Sequence, residues 1–550
     1  MFVFQDNSIK IAMQRRDFLK TTFSVAALSS FSGKSLAQGS SWVQNNIVDD
    51  WPIARLRSTE NNSLDFNGDD INRPHDALWN IDGYIEKKGG EPANPSEDLD
   101  VAIIGGGIAG LCSAYYLRDK KIALLEMDLR LGGNSKGELY KNSMYATGAA
   151  YLVEPDQKSH LGQLLTGLGI WDRARRESSD HTTVLYNQKF ATPFWSGATD
   201  PAAQEQFAKI FKRLNEIGND LNFSFAGSEI QSLDNLTFEQ WLVREFGEIH
   251  PHLQEYFQLY GWSSFCGSTD ELSAYQYLGF ICAETGQLMA FPGGNSYVAQ
   301  AMAQRVRDAA GTQALRAGCT VLRVTVDGDS ALVLYEDSFG AIKKIRAKKV
   351  VMACQKFVAR RLLPQMPADQ SEAIREIPYR AYLVGNILTK KSFKSPSYEL
   401  YCLEGKVPPS PTAARKGHRS FTDICYGTWA QNDKVDHSVL TLYHGIPYDG
   451  ARQFLFNPGS HDKYKSRYLQ DVAPVLESMN LSSADIHGVR LTRWGHALPL
   501  ARVGLLNSGI PQKASENLHG VVHFANQDNW ANPCFETAHQ SALEFARLIR

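Results

Sequence analysis

The sequence predicts an α/β fold with a parallel sheet that begins near residue 100. An apolar strand over 100–104 runs into a glycine-rich turn at 105–110, and a helix with small residues on one face follows over 108–117. A second apolar strand spans 121–126. Two strands joined by a helix in this way lie side by side in parallel, so the chain is expected to open its main domain with a β-α-β unit.

The turn of this unit carries the spacing G-x-G-x-x-G at Gly105, Gly107 and Gly110. Gly105 permits a sharp bend, Gly107 lets the backbone touch a pyrophosphate, and Gly110 lets the helix pack closely on the strand. The N–H groups of Ile108 and Ala109 lie at the positive end of the helix dipole, which favours phosphate. The sequence therefore predicts a Rossmann-like dinucleotide-binding domain.

An acidic residue ends the second strand. Glu126, followed by Met127, can accept both hydroxyls of an adenosine ribose. A second glycine pair with polar neighbours lies just beyond, at Arg130, Gly132, Gly133 and Asn134. An NAD-binding fold has no use for this pair, whereas in a flavoprotein it lets the backbone run beside the pyrophosphate while Arg130 neutralises phosphate charge. The sequence thus favours FAD over NAD, with an unrelated loop as the alternative.

Composition excludes several classes of protein. The 550 residues carry a formal charge of −2, which gives no reason to expect nucleic acid as a partner. Past the N-terminus no apolar run reaches the roughly 18 residues of a membrane-spanning helix. The eight cysteines form no CxxC pair, so no metal site is predicted.

The first 38 residues are predicted to be a twin-arginine signal peptide. Arg15 and Arg16 are followed by Asp-Phe-Leu-Lys, then by a short apolar stretch over 21–31 and a small-residue cleavage site before Gln38. The expected partner is the twin-arginine export machinery, and the expected location is the periplasm. This route carries folded proteins, which suits an enzyme that acquires its cofactor in the cytoplasm.

The remaining chain divides by composition and by pattern. Residues 39–97 are rich in Asn, Asp, Gly, Pro and Ser and are predicted to form an extended arm that wraps another domain. The FAD-binding domain is expected to be discontinuous, over 98–160, 285–370 and 485–550. The intervening segments 161–284, which is helical and aromatic-rich, and 371–484 are expected to form an α+β substrate-binding domain.

At four separated places the sequence resembles the flavin-containing amine oxidase superfamily. They are the motif at 105–110 with its glutamate, the stretch Phe291-Pro-Gly-Gly-Asn-Ser296, the strands 317–321 and 350–353, and Phe524-Ala-Asn-Gln-Asp528. The resemblance implies an FAD-binding fold of the amine-oxidase type. It also implies that the backbone of Val321 holds the adenine and that Asp528 contacts the ribityl chain or a phosphate.

The resemblance and the local sequence together suggest the flavin site. Asn532 is a good N-cap and Pro533 suits a first helical turn, so a helix starting there would point its positive end at the flavin. Cys534 would then face the ring or be a buried thiol. Trp494 and His496 lie in a segment similar to one that the family places beside the flavin, so they are candidates for the catalytic wall.

The substrate is predicted less sharply. Many oxidases of the family carry a lysine near the flavin that assists reaction with oxygen, and Val384 stands at the matching position. This departure favours a dehydrogenase that passes electrons to a quinone or a cytochrome. The long arm and the Phe-Ala-Asn-Gln-Asp ending are similar to those of bacterial spermidine dehydrogenases, so the expected substrate is an amine, with a polyamine as the narrower expectation.

Candidate pocket residues and two other functions stay open. Aromatic side chains could form the walls (Tyr260, Trp262, Phe265, Tyr275, Tyr379 and Tyr382), and acidic ones could receive a distal ammonium (Asp270, Glu271 and Glu284). The first alternative is an enzyme like phytoene desaturase or protoporphyrinogen oxidase, with an apolar substrate. The second is a flavin-binding partner protein without turnover.

Overall fold

The computed structural model describes residues 65–70, 72–178, 182–220, 228–405, 419–431 and 434–550. The predicted signal peptide and the first part of the predicted arm lie outside the described residues. Within the described ranges, no helix has both the length and the apolar character that crossing a bilayer requires.

The described chain contains both strands and helices. In chain order the strands are β1 (Asn67–Gly68), β2 (Asp98–Ile104), β3 (Ile122–Glu126), β4 (Gly137–Tyr140), β5 (Ser143–Ala146), β6 (Tyr151–Val153), β7 (Arg175–Ser178), β8 (Thr183–Tyr186), β9 (Lys189–Ala191), β10 (Gln287–Ala290), β11 (Leu315–Ala317), β12 (Thr320–Asp327), β13 (Ser330–Glu336), β14 (Ile342–Met352), β15 (Tyr379–Thr389), β16 (Glu399–Leu403), β17 (Asp423–Tyr426), β18 (Ser438–Ile446), β19 (Ile486–Pro499) and β20 (Val522–Phe524). The helices are α1 (Arg73–Leu78), α2 (Ile81–Lys87), α3 (Ile108–Tyr116), α4 (His160–Leu168), α5 (Pro201–Asp220), α6 (Ser228–Asp234), α7 (Phe238–Phe246), α8 (Pro251–Phe265), α9 (Ala274–Ile281), α10 (Ser296–Ala310), α11 (Lys356–Leu362), α12 (Ala368–Arg375), α13 (Ala451–Leu455), α14 (Ser460–Ser478), α15 (Ile510–Ala514) and α16 (Phe535–Ile549).

The first sheet is the predicted Rossmann-like unit. Its order is β11-β3-β2-β14-β13-β12, and β20 also pairs with β14. The pairs among β11, β3, β2, β14 and β20 are parallel, as the β-α-β pattern predicts. Helices α3, α10 and α16 cover one face, where Leu111, Met302 and Phe545 are buried in a common core. The fold class predicted from the sequence is confirmed.

The second sheet forms the substrate half, in the order β1-β19-β15-β18-β17-β16-β8-β9. Strand β19 pairs with β15 over nearly its whole length. The predicted boundary at 485 therefore differs from the structure, because residues 486–499 join the second sheet and not the FAD-binding sheet. The apolar pattern of a strand predicts that it is buried, but not which sheet it enters.

The segment predicted as helical between about 160 and 284 contains α4 to α9. It also contains β7, β8 and β9, which the sequence did not indicate. Helices α5, α7, α8 and α9 pack around an aromatic core that includes Trp195, Trp241, Phe257 and Tyr277. This helical layer lies against the end of the second sheet, because Tyr401 of β16 is buried in the same aromatic core as residues of α8.

The described part of the predicted arm, residues 65–97, is less extended than expected. It folds into β1, α1 and α2 and binds both halves of the molecule. Asn67 pairs with Thr492 at the edge of the second sheet, while Ala77 and Ile85 pack against the first sheet. Because Ala77 and Ile85 find apolar partners there, local helix formation is stabilised by burial.

Candidate flavin and amine site

The phosphate-binding turn has the geometry that its glycines require. Gly105 adopts φ +110, and a Cβ on Gly110 would lie 1.9 Å from the carbonyl oxygen of Gly105. Around a Cβ on Gly107 the nearest described atom is Cα of Gly133, at 3.8 Å. Gly107 is also the N-cap of α3, and no side chain caps that helix. The turn therefore leaves helix N–H groups and open space together, which fits a pyrophosphate.

The predicted ribose-binding glutamate lies at the corner of this turn. The carboxylate of Glu126 accepts hydrogen bonds from the N–H groups of Gly106 (2.6 Å) and Asp128 (2.8 Å). Burial raises its pKa, although Lys136 and these N–H groups counteract the rise. Arg73 of the arm donates to the carbonyl oxygens of Met127 and Gly318. The arm thus holds the backbone beside the expected adenosine site.

The second glycine pair lies directly against the first. Gly132 donates its N–H to the carbonyl oxygen of Gly106 at 2.7 Å. Arg130 donates to the carbonyl oxygen of Gly137 at 3.1 Å, and Asn134 donates across the domain boundary to Ala497 at 3.1 Å. These predicted cofactor residues are brought together around one groove.

Val321 lies two residues after Cys319, whose backbone contacts that of Glu126. The N–H of Cys319 donates to the carbonyl oxygen of Glu126. Val321 itself is buried in the core on the outer side of the sheet. Its proposed backbone contact with adenine stays a prediction.

The C-terminal motif offers acceptors that the protein does not use. Oδ2 of Asp528 accepts from the N–H of Lys356 (3.0 Å) and from the hydroxyl of Tyr379 (2.5 Å). Among the described residues, Oδ1 of Asp528 and Oδ1 of Asn526 are buried without a hydrogen-bond partner. Buried acceptors normally find a donor, so these atoms fit the hydroxyl groups of a ribityl chain.

The helix after this motif begins later than predicted. Helix α16 starts at Phe535 with Cys534 as its N-cap, so Pro533 and Asn532 precede the helix. The side chain of Asn532 instead donates to Gln276 at 3.0 Å, and the half-buried thiol of Cys534 donates to Thr537 at 3.4 Å. Asn532 therefore contacts Gln276 and does not act as the N-cap that its residue type favours.

The two halves meet along a seam where Trp494 lies. Five side chains of the substrate half pack here with Ala146 and Ala150 of the FAD-binding half; they are Trp494, Val384, Tyr398, Tyr443 and Cys425. We call this set the seam cluster. Its side chains donate to three carbonyl groups within 147–150: Trp494 to Thr147 (3.0 Å), Tyr443 to Gly148 (2.8 Å) and Tyr398 to Ala150 (3.0 Å).

His496 lies further along the same strand and is half-buried. Its ring is 4.2 Å from that of Phe357 and 6.1 Å from that of Tyr379, between ring centroids. Burial, together with Arg452 and His75, lowers its pKa to about 3. The imidazole is therefore neutral at ordinary pH, and the predicted catalytic roles of Trp494 and His496 stay predictions.

A buried lysine that the sequence analysis did not single out supports the C-terminal motif. Lys356 follows β14, is fully buried and donates to Oδ1 of Asn529. Burial lowers its pKa to about 8, while Asp528 opposes the shift. A charged residue three positions after the apolar run 350–353 was the available signal.

One buried and two half-buried carboxyl groups cluster beside the seam. Carboxylate oxygens of Glu399 and Asp423 and the sulfur of Cys425 lie within 4.8 Å of one another. Glu284 accepts hydrogen bonds from the hydroxyls of Tyr260 (2.6 Å) and Tyr151 (3.2 Å). We call Glu284, Glu399 and Asp423, with the surrounding Tyr151, Tyr256, Tyr260 and Tyr401, the acidic chamber.

The acidic chamber brings carboxyl groups close together, and Asp423 and Glu284 both act on Glu399. Burial raises the pKa of Asp423 to about 6. Burial also raises the pKa of Glu399 well above its usual value, and the main charged groups acting on it are the acidic Asp423, Glu284 and Glu177. The Glu399–Asp423 pair therefore keeps a proton to higher pH than isolated carboxyl groups do, and its ionised form attracts cations.

The residues predicted to form the pocket wall or to bind a distal ammonium lie in different parts of the structure. Glu284 and Tyr260 lie in the acidic chamber, and Tyr382 packs against the seam cluster. Glu271 instead pairs with Arg380 at 3.0 Å, and Asp270 is exposed. The sequence analysis missed Glu399 and Asp423, whose only signal is an acidic residue at the start of an otherwise apolar strand.

Fold and site together define an FAD-dependent oxidoreductase. The model of the flavin-containing amine oxidoreductase family matches residues 108–549, and the chain belongs to this family. FAD is accordingly its cofactor, and the groove between Gly105 and Asp528 described above has the open space and the unpaired acceptors that fit it.

Relatives and solved structures agree with this assignment. The chain is 20% identical to the oxidoreductase PigB of a Serratia species over 513 residues, which cover 82% of this chain and 75% of PigB. It is 21% identical over 332 residues to amine oxidase [flavin-containing] A of Sus scrofa, covering 54% of this chain and 58% of that enzyme.

Two oxidase structures share the fold. A putrescine oxidase variant aligns with a TM-score of 0.64 and 16% identity, covering 83% of this chain and 99% of that one. Cyclohexylamine oxidase from Brevibacterium oxydans aligns with a TM-score of 0.61 and 18% identity, covering 82% and 99%. At these identities the likeness shows the fold alone.

Proposed function

We propose that the protein is an amine dehydrogenase whose substrate is a diamine or polyamine. Bound FAD would accept a hydride from the carbon beside the reacting nitrogen. The side chains of this chain would orient that carbon at the seam cluster and hold a second, charged nitrogen in the acidic chamber. The acidic chamber is the observation that carries the proposal.

The acidic chamber suits an ammonium group because it combines charge with aromatic faces. A buried carboxylate without a counter-ion is costly, so a bound cation would stabilise the ionised form of Asp423. Tyrosine rings also attract cations through their faces. An apolar polyene or a porphyrinogen would leave Glu399 and Asp423 uncompensated, which disfavours the desaturase-like alternative.

The sheet register sets the distance between the two ends of the substrate. Asp423 is opposite Tyr443, and Tyr443 is opposite Val384. All three side chains therefore share the sheet face that forms the seam, and Asp423 lies roughly 10 Å from Val384 across two strand spacings. A nitrogen several carbons from the reacting carbon spans such a distance.

The surroundings of Val384 support a dehydrogenase over a fast oxidase. This side chain is almost fully buried in the seam cluster, and it stands where the family resemblance places a lysine that assists oxygen. A quinone or a cytochrome is therefore the proposed electron acceptor.

The groups around the seam favour a neutral reacting amine. Burial raises the pKa of Tyr443, Tyr382 and Tyr398 well above the usual value. These tyrosines are therefore neutral phenols, and no negative charge on them would hold the reacting nitrogen as an ammonium.

Anaerobic mixing of the purified holoprotein with spermidine tests the proposal. Spermidine should bleach the flavin absorbance, and ferricenium or a soluble quinone should restore it faster than dissolved oxygen does. Flavin that stays oxidised with spermidine, putrescine and simple monoamines would remove the amine assignment. Reoxidation by oxygen as fast as by a quinone would remove the dehydrogenase assignment.

We further propose export by the twin-arginine route to the periplasm. All eight cysteines lie among the described residues, and none forms a disulfide; this suits a chain that folds in the reducing cytoplasm before export. Replacing Arg15 and Arg16 by lysine should retain the protein in the cytoplasmic fraction. Periplasmic recovery of the double variant would contradict the proposal.

A further inference from the structure

A second cavity of about 320 Å³ lies on the opposite face of the second sheet. Cys402 and His444 line it, and they alternate along their strands with Tyr401 and Tyr443, which face the acidic chamber and the seam. The wall is completed by α8 and by residues of α13 and α14. A volume of this size matches the roughly 300–1,000 Å³ of ordinary ligand pockets.

Helix α8 separates this cavity from the acidic chamber. Tyr260 donates to Glu284, and Ser263 contacts both Tyr382 and Asp423. Leu259 and Trp262 line the second cavity, and they directly precede Tyr260 and Ser263 in the chain. Adjacent stripes of one helix thus serve two different chambers.

The side of the cavity next to α14 is rich in positive charge. Arg419, Lys463 and Arg467 line this side. Arg467 pairs with Asp471 at 3.3 Å, so Arg419 and Lys463 supply the net positive charge. Glutamates line the side next to α8, where the carboxylate of Glu255 accepts from the N–H groups of Glu404 (2.8 Å) and Gly405 (2.9 Å). The α14 side is therefore suited to an anion, unlike the acidic chamber.

Two donors on that side are buried without a hydrogen-bond partner among the described residues. They are Oγ of Ser420, a residue only 8% exposed, and Nη1 of Arg419. A buried polar group that lacks a partner destabilises the unliganded protein. Both residues line the cavity, so an acceptor bound there would relieve that cost.

Aromatic side chains form much of the remaining wall, among them Trp262, Phe421, Tyr448 and Tyr464. Such side chains favour contact with a flat ring. An arginine fork matches a carboxylate in shape and charge. We propose that this cavity binds an aromatic carboxylate, with the carboxylate on Arg419 and Ser420 and the ring among the aromatic walls. This site is separate from amine oxidation and does not depend on it.

Calorimetric titration of the holoprotein with naphthoate tests the site, and the neutral naphthalenemethanol is the matched ligand. We expect saturable naphthoate binding and at least about tenfold weaker binding of the alcohol, equivalent to about 1.4 kcal/mol. Arg419→Met should weaken naphthoate binding by about tenfold or more, and Ser420→Ala by about threefold. Asp423→Asn, which changes the acidic chamber, should leave naphthoate binding unchanged.

Thermal melting controls for folding, and Arg419→Lys provides a second variant that keeps the charge. It should bind naphthoate better than Arg419→Met if the charge contributes. Three outcomes would overturn the proposal: no saturable binding of naphthoate, equal binding of the alcohol, or displacement of naphthoate by spermidine with no effect of Arg419→Met. The last outcome would place naphthoate in the amine site.

Discussion

The two sheets of this protein build their binding sites in opposite ways. On the first sheet, the cofactor groove is made mainly by backbone, and its glycines are close together in the sequence. On the second sheet, the acidic chamber is made by side chains from β16, β17 and the segment after α9, which are far apart in the sequence. The first kind of site is encoded by local conformation, whereas the second exists only after the strands have paired.

The largest effect is expected from two neighbouring glycines that break the cofactor half in different ways. Gly107→Val places a side chain in the open space meant for the pyrophosphate, so it should lower the affinity for FAD by about 100-fold, since overpacking costs about 1–3 kcal/mol. The unliganded fold should persist. Flavin content of the purified protein and the melting temperature of the apoprotein measure these effects.

Gly110→Ala is the matched comparison, because its Cβ would meet the carbonyl oxygen of Gly105 at 1.9 Å. It should lower the melting temperature of the apoprotein itself. Equal flavin content in Gly107→Val and the wild type would show that the pyrophosphate does not pass this glycine.

The next effect separates the acidic chamber from the seam. Asp423→Asn removes the charge expected to hold the distal ammonium, so kcat/KM for spermidine should fall by about 100-fold, as for other buried charge pairs that lose a partner. The rate with a monoamine of similar length should change little. Steady-state kinetics with an artificial acceptor measures both.

Asp270→Asn is the control for this comparison, because Asp270 is an exposed acid on the helical layer outside the chamber. It should leave both substrates unaffected. Parallel losses for spermidine and the monoamine in Asp423→Asn would mean that Asp423 supports the fold and does not select the substrate.

The pH dependence should sharpen the same distinction. The pKa of Asp423 is raised to about 6, so the carboxyl is protonated below that pH and charged above it. The ratio of kcat/KM for spermidine to that for the monoamine should therefore rise as pH increases through about 6. Taking the ratio cancels the effect of the ionisation of the reacting amine. A ratio that stays flat between about pH 5 and 8, the range over which this pKa should act, would contradict the role of Asp423 in binding the distal ammonium.

The smallest effect is expected at His496. Its pKa is lowered to about 3, so it carries no proton that could be lost near neutral pH. His496→Gln should change kcat by no more than about threefold, well below the roughly 100-fold or larger contribution of a general acid or base. The pH profile of kcat should keep its shape. A loss of 100-fold (roughly the lower limit for such catalysis) would restore His496 as a catalytic residue.

Particular residues show how far the sequence could be used. Four candidate cofactor-binding residues could be identified from the sequence, because each occupies a fixed place in one β-α-β unit; they are Gly105, Gly107, Gly110 and Glu126. Asn532 and Pro533 were placed in the wrong relation to the last helix, since Asn532 contacts Gln276 and the helix starts at Phe535 with Cys534 as its N-cap.

The sequence by itself determined the cofactor half, because phosphate binding needs backbone shapes that a few glycines specify over a short stretch. Only the tertiary structure decided that β19 joins the second sheet and that Glu399, Asp423 and Glu284 meet. Strand register fixes which side chains share a face, and that register depends on pairing between distant segments. No local pattern in the sequence contains that information.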